Sequence, residues 1–328
     1  MAETETHWSR IGESGTLLGM KFLLLTYRLF GRWGFFILLF PVICYFYLRR
    51  GDARRASQEY LAQIDPWLDP DQRRQVSPFR QFMKFGEILL DKLLVWMGQI
   101  DLETVEFDDP DVLEEFADNG EGGLIVVSHL GNFEICGAIA NQVPHMRMTI
   151  LVYTRHAIKF NSMLQRFNRD IKLDVMQVTD MSPVTAMMLA DRVRAGEYVV
   201  IAGDRTPVTG QDRVSRVQFL GREAPMPQGP FILAGLLKCP VYLLFCLKHQ
   251  DRYHVYFEVF DRRFELGKRS MRSQRLHDVV QAYAQRLAYY CQKAPLQWFN
   301  FYSFWSAKAA TEDDRELPEE GKQEIPQD

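Results

Sequence analysis

From residue 122 onward, short apolar runs alternate with stretches of helical periodicity. Gly123 to Ser128 (GLIVVS), Met148 to Tyr153 (MTILVY) and Tyr198 to Ala202 (YVVIA) are five or six residues long and mostly apolar at consecutive positions. Strands covered on both faces have this pattern, whereas strands with one wet face alternate. Val241 to Leu247 and Tyr253 to Phe260 add two more strands. Between them, helices are expected at Asn132 to Gln142, Phe160 to Arg169, Pro183 to Ala195 (closed by Gly196), Gly229 to Lys238 and Ser273 to Lys293. This alternation predicts an α/β fold with a mixed, largely parallel central sheet flanked by helices. Sites in such sheets gather at the carboxyl ends of the strands.

Ahead of this region lies the most apolar part of the chain, residues 16–48 (TLLGMKFLLLTYRLFGRWGFFILLFPVICYFYL). A signal peptide is disfavoured, because no small-residue cleavage site follows. A buried helix pair competes with a membrane-anchoring helical segment, spanning once or lying in the interface, and the anchor fits better. Trp33 and the Tyr45-Phe46-Tyr47 cluster suit an aromatic belt. Arg49, Arg50, Arg54 and Arg55 mark the cytoplasmic end by the positive-inside tendency. The expected organisation is a polar segment (1–15), the anchor (16–50), a helical arm (51–110), the α/β domain (111–310) and an acidic, disordered tail (311–328). Within the arm, Phe79 to Met97 is strongly amphipathic, and its Phe, Leu, Trp and Met face fits core packing better than a floor for a lipid tail.

Charge narrows the function. Lys and Arg number 39 against 42 Asp and Glu, but Thr311 to Asp328 carries eight acids and two bases, leaving the body at 37 bases and 34 acids. A balance of +3 over some three hundred residues argues against a nucleic-acid binder. The five cysteines form no C-x-x-C pair, and His145, His156, His249, His254 and His277 lack ligand spacing, so no metal is expected. No glycine-rich phosphate loop is present, and no cofactor is expected.

The informative segment is Val127 to Glu134 (VSHLGNFE). It places His129 directly after a buried strand, Gly131 in a tight turn, Asn132 as an N-cap and Glu134 in the first helical turn. A histidine whose far nitrogen is held by a carboxylate makes a general base, and Glu134 can fold back toward the imidazole. An isolated His-x4-Glu also fits a satisfied structural histidine. The chain has no G-x-S-x-G elbow, which disfavours a serine hydrolase. The chemistry this suits is activation of an acceptor hydroxyl that attacks an acyl group directly. Backbone amides near Gly131 or a nearby arginine are candidate oxyanion donors. Asp204 and Arg205 follow another buried strand, as a site or as an internal ion pair. Arg155, Lys159, Arg166 and Arg169 could meet a phosphate or form a solvated face. Arg213 and Arg216 lie in a polar loop, and the aromatic run from Trp298 to Trp305 could line an acyl tunnel or pack as core.

His129-Leu130-Gly131-Asn132-Phe133-Glu134 resembles the H-x4-D/E signature of the lysophospholipid acyltransferase superfamily. More narrowly, it is similar to the late (lauroyl/myristoyl) acyltransferases of lipid A biosynthesis. Ala202-Gly203-Asp204-Arg205, Phe219 to Pro225 and Pro295 to Tyr302 are similar to further segments of that family. The resemblance runs from about residue 8 to about residue 308. It implies transfer of an acyl chain from an acyl carrier protein thioester to a hydroxyl of a membrane lipid or glycolipid, without a metal. With the basic cluster after the anchor facing the cytoplasm, the expected place is the cell inner membrane, with the catalytic domain on the cytoplasmic side. His129 would be the base and Glu134 its partner. Arg166 or Arg169, together with Asp204 and Arg205, would bind substrate. Two departures bear on the acceptor: Arg-Thr-Pro-Val follows Asp204, and Phe133 stands where tryptophan is common. Rival readings are a glycerophospholipid acyltransferase using acyl-coenzyme A and a non-catalytic lipid-binding membrane protein on the same fold.

Overall fold

The computed structural model describes residues 17–96, 99, 105–109, 120, 122–135, 137, 147–152, 173–177, 182–206 and 213–305. The helix expected over Phe160 to Arg169 and the acidic tail lie outside the described residues.

Four helices come first: α1 (Leu17–Arg49), α2 (Gly51–Ile64), α3 (Pro70–Gln75) and α4 (Pro78–Trp96). A sheet follows with β1 (Val105–Phe107), β2 (Gly123–Val127), β3 (Met148–Val152), β4 (Leu173–Gln177), β5 (Tyr198–Ala202), β8 (Val241–His249) and β9 (Arg252–Asp261). Its strand order is β1-β9-β8-β2-β5-β3-β4. Every pairing is parallel except that of β8 with β9, giving the expected largely parallel mixed sheet. A separate hairpin, β6 (Val214–Phe219) and β7 (Arg222–Pro227), puts Arg216, expected in a polar loop, on a strand. The described helices between and after the strands are α5 (Pro183–Arg194), α6 (Gly229–Leu237) and α7 (Arg272–Lys293). The short strand β1 falls inside the segment expected to be all helix and joins the sheet edge through Val105 opposite Tyr253.

The apolar runs are buried on both faces because each face meets a different helix layer. Leu124, Val126, Val199, Ile201, Leu243 and Phe245 pack with Tyr60 of α2, Phe231 of α6 and Val280, Tyr283 and Leu287 of α7. The intervening residues Ile125, Val127, Val200, Leu244 and Cys246 pack with Ile88 and Val95 of α4. Helix α4 uses its other face, Phe82, Leu90 and Leu94, against Phe35, Leu39 and Ile43 of α1. It is thus apolar on two sides and buried between the sheet and α1.

Helix α1 is the described helix long and apolar enough, over Leu25–Arg49, to cross a membrane. It is interrupted at Gly31, whose φ of 65° is a left-handed value that breaks the helical hydrogen-bond ladder and suits glycine. Pro41 lies farther along it.

Candidate active site

Strands β2 and β5 are parallel neighbours, and their register pairs Val127 with Ala202. Two residues beyond that last pair stand His129 on one strand and Asp204 on the other. Equal advance from a shared register brings them together at the carboxyl edge of the sheet. The imidazole Nδ1 lies 2.7 Å from Asp204 Oδ1. The second carboxylate oxygen, Oδ2, accepts the His129 backbone N–H at 2.8 Å and the Trp298 indole N–H at 2.9 Å. Asp204 is fully buried, while 29% of the His129 side chain is exposed. The carboxylate is therefore fixed by three donors, and the His129 side chain stays partly exposed.

This differs from the pairing expected from sequence. The carboxylate on the imidazole belongs to Asp204, and Glu134 is engaged elsewhere: its Oε1 lies 2.8 Å from the Lys92 ammonium of α4. The reason is topological. A partner five residues away is visible in the sequence, whereas a partner on an adjacent parallel strand becomes visible only once the strand order is known. The second oxygen of Glu134 is buried and meets no hydrogen-bond donor.

The His129 loop is held by three backbone contacts. Gly131 N–H donates to Gln297 O (2.9 Å), Asn132 N–H to Cys246 O (2.8 Å), and Phe299 N–H to His129 O (2.9 Å). Gly131 has φ 76°, and a Cβ there would stand 1.9 Å from Cys246 O, so the turn accepts only glycine. The Gly131 and Asn132 amides are consequently spent on backbone carbonyls, which removes them as ready oxyanion donors. The Asn132 amide does not cap the following helix; it is fully buried, next to the Tyr253 hydroxyl. Of the helix expected over Asn132 to Gln142, the described part is helical at residues 134, 135 and 137.

The C-terminal segment closes the site from behind. The Gln297 side chain bonds both backbone groups of Lys248, and Gln81 Nε2 donates to Trp298 O at 2.8 Å. The Trp298 ring packs edge-on against Tyr60 and Phe304. The aromatic run is therefore core, with Trp298, Phe299, Tyr302, Phe304 and Trp305 all buried. Sequence reading missed Trp298 as a donor; an indole N–H among buried aromatics was the available hint, since such groups need a partner.

Electrostatics favour a neutral base beside an ionised acid. Burial pushes the His129 imidazole below its ordinary value, and the Arg205 guanidinium adds to this, partly offset by Asp204. Burial alone would raise the Asp204 carboxyl, but the His129 ring and amide and the Trp298 indole outweigh it and hold the group below the usual carboxylate range. Arg205 is partly buried near Asp204 and the Tyr302 hydroxyl. Arg166 and Arg169 lie outside the described residues, as do Arg155 and Lys159.

A second, fully buried ionic group supports the site from α4. Asp91 accepts from Lys248 Nζ (2.7 Å), the Tyr253 hydroxyl (2.6 Å) and Arg32 of α1 (2.7 Å), while Glu87 also meets Lys248 (2.6 Å). Lys248 belongs to the strand whose Cys246 carbonyl receives the Asn132 amide. Among the described residues, no group of three or more His, Cys, Asp and Glu side chains could hold a metal ion.

The family model of bacterial lipid A biosynthesis acyltransferases matches residues 80–306, more than half of the chain, including His129, Asp204 and Trp298, and the chain belongs to that family. No curated protein matches the chain.

Proposed function

From its membership of the bacterial lipid A biosynthesis acyltransferase family, we propose that this chain is an O-acyltransferase in which His129 is the general base. The acyl chain comes from a thioester, with acyl carrier protein as the donor, and goes to a hydroxyl of a membrane lipid or glycolipid. The reaction takes place on the cytoplasmic side of the inner membrane. The observation that carries this reading is the short Nδ1 contact with a fully buried carboxylate, made by a ring whose side chain is itself 29% exposed.

A carboxylate accepts only, so the ring proton sits on Nδ1 and the Nε2 lone pair is free. Nε2 takes the proton of the acceptor hydroxyl as its oxygen bonds to the thioester carbonyl carbon. The imidazolium that forms is stabilised by Asp204. The tetrahedral oxyanion then collapses, the carbon–sulfur bond breaks, and the departing thiolate takes the proton back from the imidazolium. The products are an ester and a free thiol. With the Gly131 and Asn132 amides engaged, Arg205 is the donor proposed for the oxyanion, because its charge stands beside Asp204 and His129. Glu134 acts through Lys92 to position the helix that follows the turn, and Arg166 and Arg169 remain proposed substrate contacts.

The test is acyl transfer by purified full-length protein, with acyl carrier protein thioester and membrane lipid followed by mass spectrometry. His129→Ala is expected to lower turnover by several orders of magnitude while keeping the thermal midpoint. Undiminished product from that variant would refute the assignment.

A further inference from the structure

Beyond Gly31, helix α1 carries apolar side chains on two faces, and the two have different partners. Its inner face runs antiparallel along α4 at three successive points. Arg32 bonds Asp91, Leu39 sits over Gly86, and the Tyr47 ring packs edge-on against Phe79 and Phe82. Asp91 is itself tied to Lys248 of the sheet, so the inner face is clamped to the α/β domain over most of its length after Gly31. The outer face carries Trp33, Ile37, Tyr45 and Leu48 at helical spacing, all exposed, with Trp33 at 84%, while Phe40, half exposed between the two faces, still meets the Phe79 ring of α4.

A helix docked in this way cannot stand across a bilayer unless α4 stands with it. Helix α4 bears Lys84, Glu87, Asp91 and Lys92 and packs on the sheet, so the domain would have to enter the hydrocarbon too. The break at Gly31 points the same way. It leaves helical pieces over 17–30 and 32–49, roughly 21 Å and 27 Å at about 1.5 Å per residue, against a hydrocarbon core of about 30 Å.

We propose that α1 lies in the plane of the membrane, with its Trp33–Leu48 stripe in the boundary between headgroups and acyl chains of an anionic bilayer, and does not span it. Charge complementarity favours lipid over a second copy of the chain. Residues 17–51 contain five bases and no acid, with Arg28 and Arg49 exposed toward its two ends. A two-fold copy would set these charges against their own kind, whereas anionic headgroups neutralise them. The clamp then holds the bilayer surface beside the domain by the same helix, α4, whose Lys92 meets Glu134. The inference deepens the proposed function and rests on its claim that the protein works at a membrane.

The experiment places nitroxide labels at Trp33→Cys, Ile37→Cys and Leu48→Cys, one at a time, in full-length protein carrying Cys44→Ser, with that parent as blank. The protein is reconstituted in vesicles of phosphatidylethanolamine and phosphatidylglycerol. An in-plane helix puts all three labels at one shallow depth. A spanning helix separates labels 33 and 48 by about 22 Å along its axis, and that gradient would overturn the proposal. So would labels that meet neither oxygen nor lipid but lie close to one another between chains, or labels fully open to a water-soluble relaxant. The substituted side chains point away from α4, so folding is expected to persist. Depth is read without turnover. Loss of acyl transfer in detergent would therefore count against the proposed function and leave the depth result standing, and the converse holds as well.

Discussion

Asp204→Asn removes one charge and one acceptor from a group with three donors, and the surroundings dictate which way the amide must turn. With its oxygen at the Oδ2 position, the amide keeps the His129 backbone N–H and the Trp298 indole. Its NH2 then faces Nδ1, where Asp204 Oδ1 had accepted at 2.7 Å. The reverse orientation would set an NH2 against two N–H donors, leaving both unsatisfied in a fully buried place. The first orientation therefore wins and forces the imidazole proton onto Nε2, the nitrogen that must be bare to act as a base. Trapping a carboxylate-supported histidine in the wrong tautomer costs roughly 10⁴ in kcat, or about 5.4 kcal/mol of transition-state stabilisation. The side chains are nearly isosteric, so the fold should survive, which thermal denaturation would check. The assay compares acyl transfer by Asp204→Asn and Glu134→Gln, with 15N NMR of the histidine tautomer. Expected are a near-dead Asp204→Asn with Nε2–H and a Glu134→Gln that loses no more than about tenfold. If Asp204→Asn instead works within tenfold of the parent while Glu134→Gln is dead, Asp204 is structural and the pairing argued here is wrong.

Two further outcomes follow from the same geometry. Because burial and Arg205 lower the His129 value, the neutral ring that the proposed base requires persists below the ordinary histidine range. The acid limb of kcat/KM should therefore lie below about pH 6.5, with activity rising through it to a plateau at neutral pH; a limb above pH 7 in the free enzyme would contradict the lowered value. At Gly131→Ala, a methyl would stand 1.9 Å from Cys246 O at a φ of 76°. The expected cost is about 2–5 kcal/mol, seen as a lower denaturant midpoint with unchanged slope, and an unaltered midpoint would mean the turn is looser than drawn.

The parallel core strands were legible because burial on both faces leaves no polar position to obscure the run. Tyr198 to Ala202 matches β5, and Gly123 to Ser128 matches β2 to within a residue. The β6–β7 hairpin was not legible. Its inward residues Val217 and Phe219 alternate with the exposed Arg216 and Gln218, and the charges masked the period of two. His129 stands out as a candidate in the sequence because strand, turn and helix follow one another locally. Its partner could not, because the pairing joins residues 75 apart through a strand order that no local pattern encodes. The sequence of helix α4 favours core over a floor for a lipid tail, and neither reading includes an ionic group. Lys84, Glu87 and Asp91 share one face at helical spacing, and so many charges on an otherwise apolar helix were the available sign of a buried ionic cluster.

That cluster bears on why the site holds its shape. A buried ion pair contributes little net stability, since desolvation offsets most of the attraction, but breaking one by removing a partner is costly. Asp91 joins α1, α4, β8 and β9 through Arg32, Lys248 and Tyr253. Sliding any one of these elements strands a fully buried charge. Apolar contacts alone would permit such a slide at small cost, because Leu and Phe side chains repack along a helix groove. Strand β8 is in turn the element that receives the Asn132 amide and is bonded on both sides of Lys248 by Gln297, whose neighbour Trp298 holds Asp204. The position of the imidazole is thus referred through directional bonds to the same carboxylate that fixes α1. Register, more than stability, is what these buried charges supply.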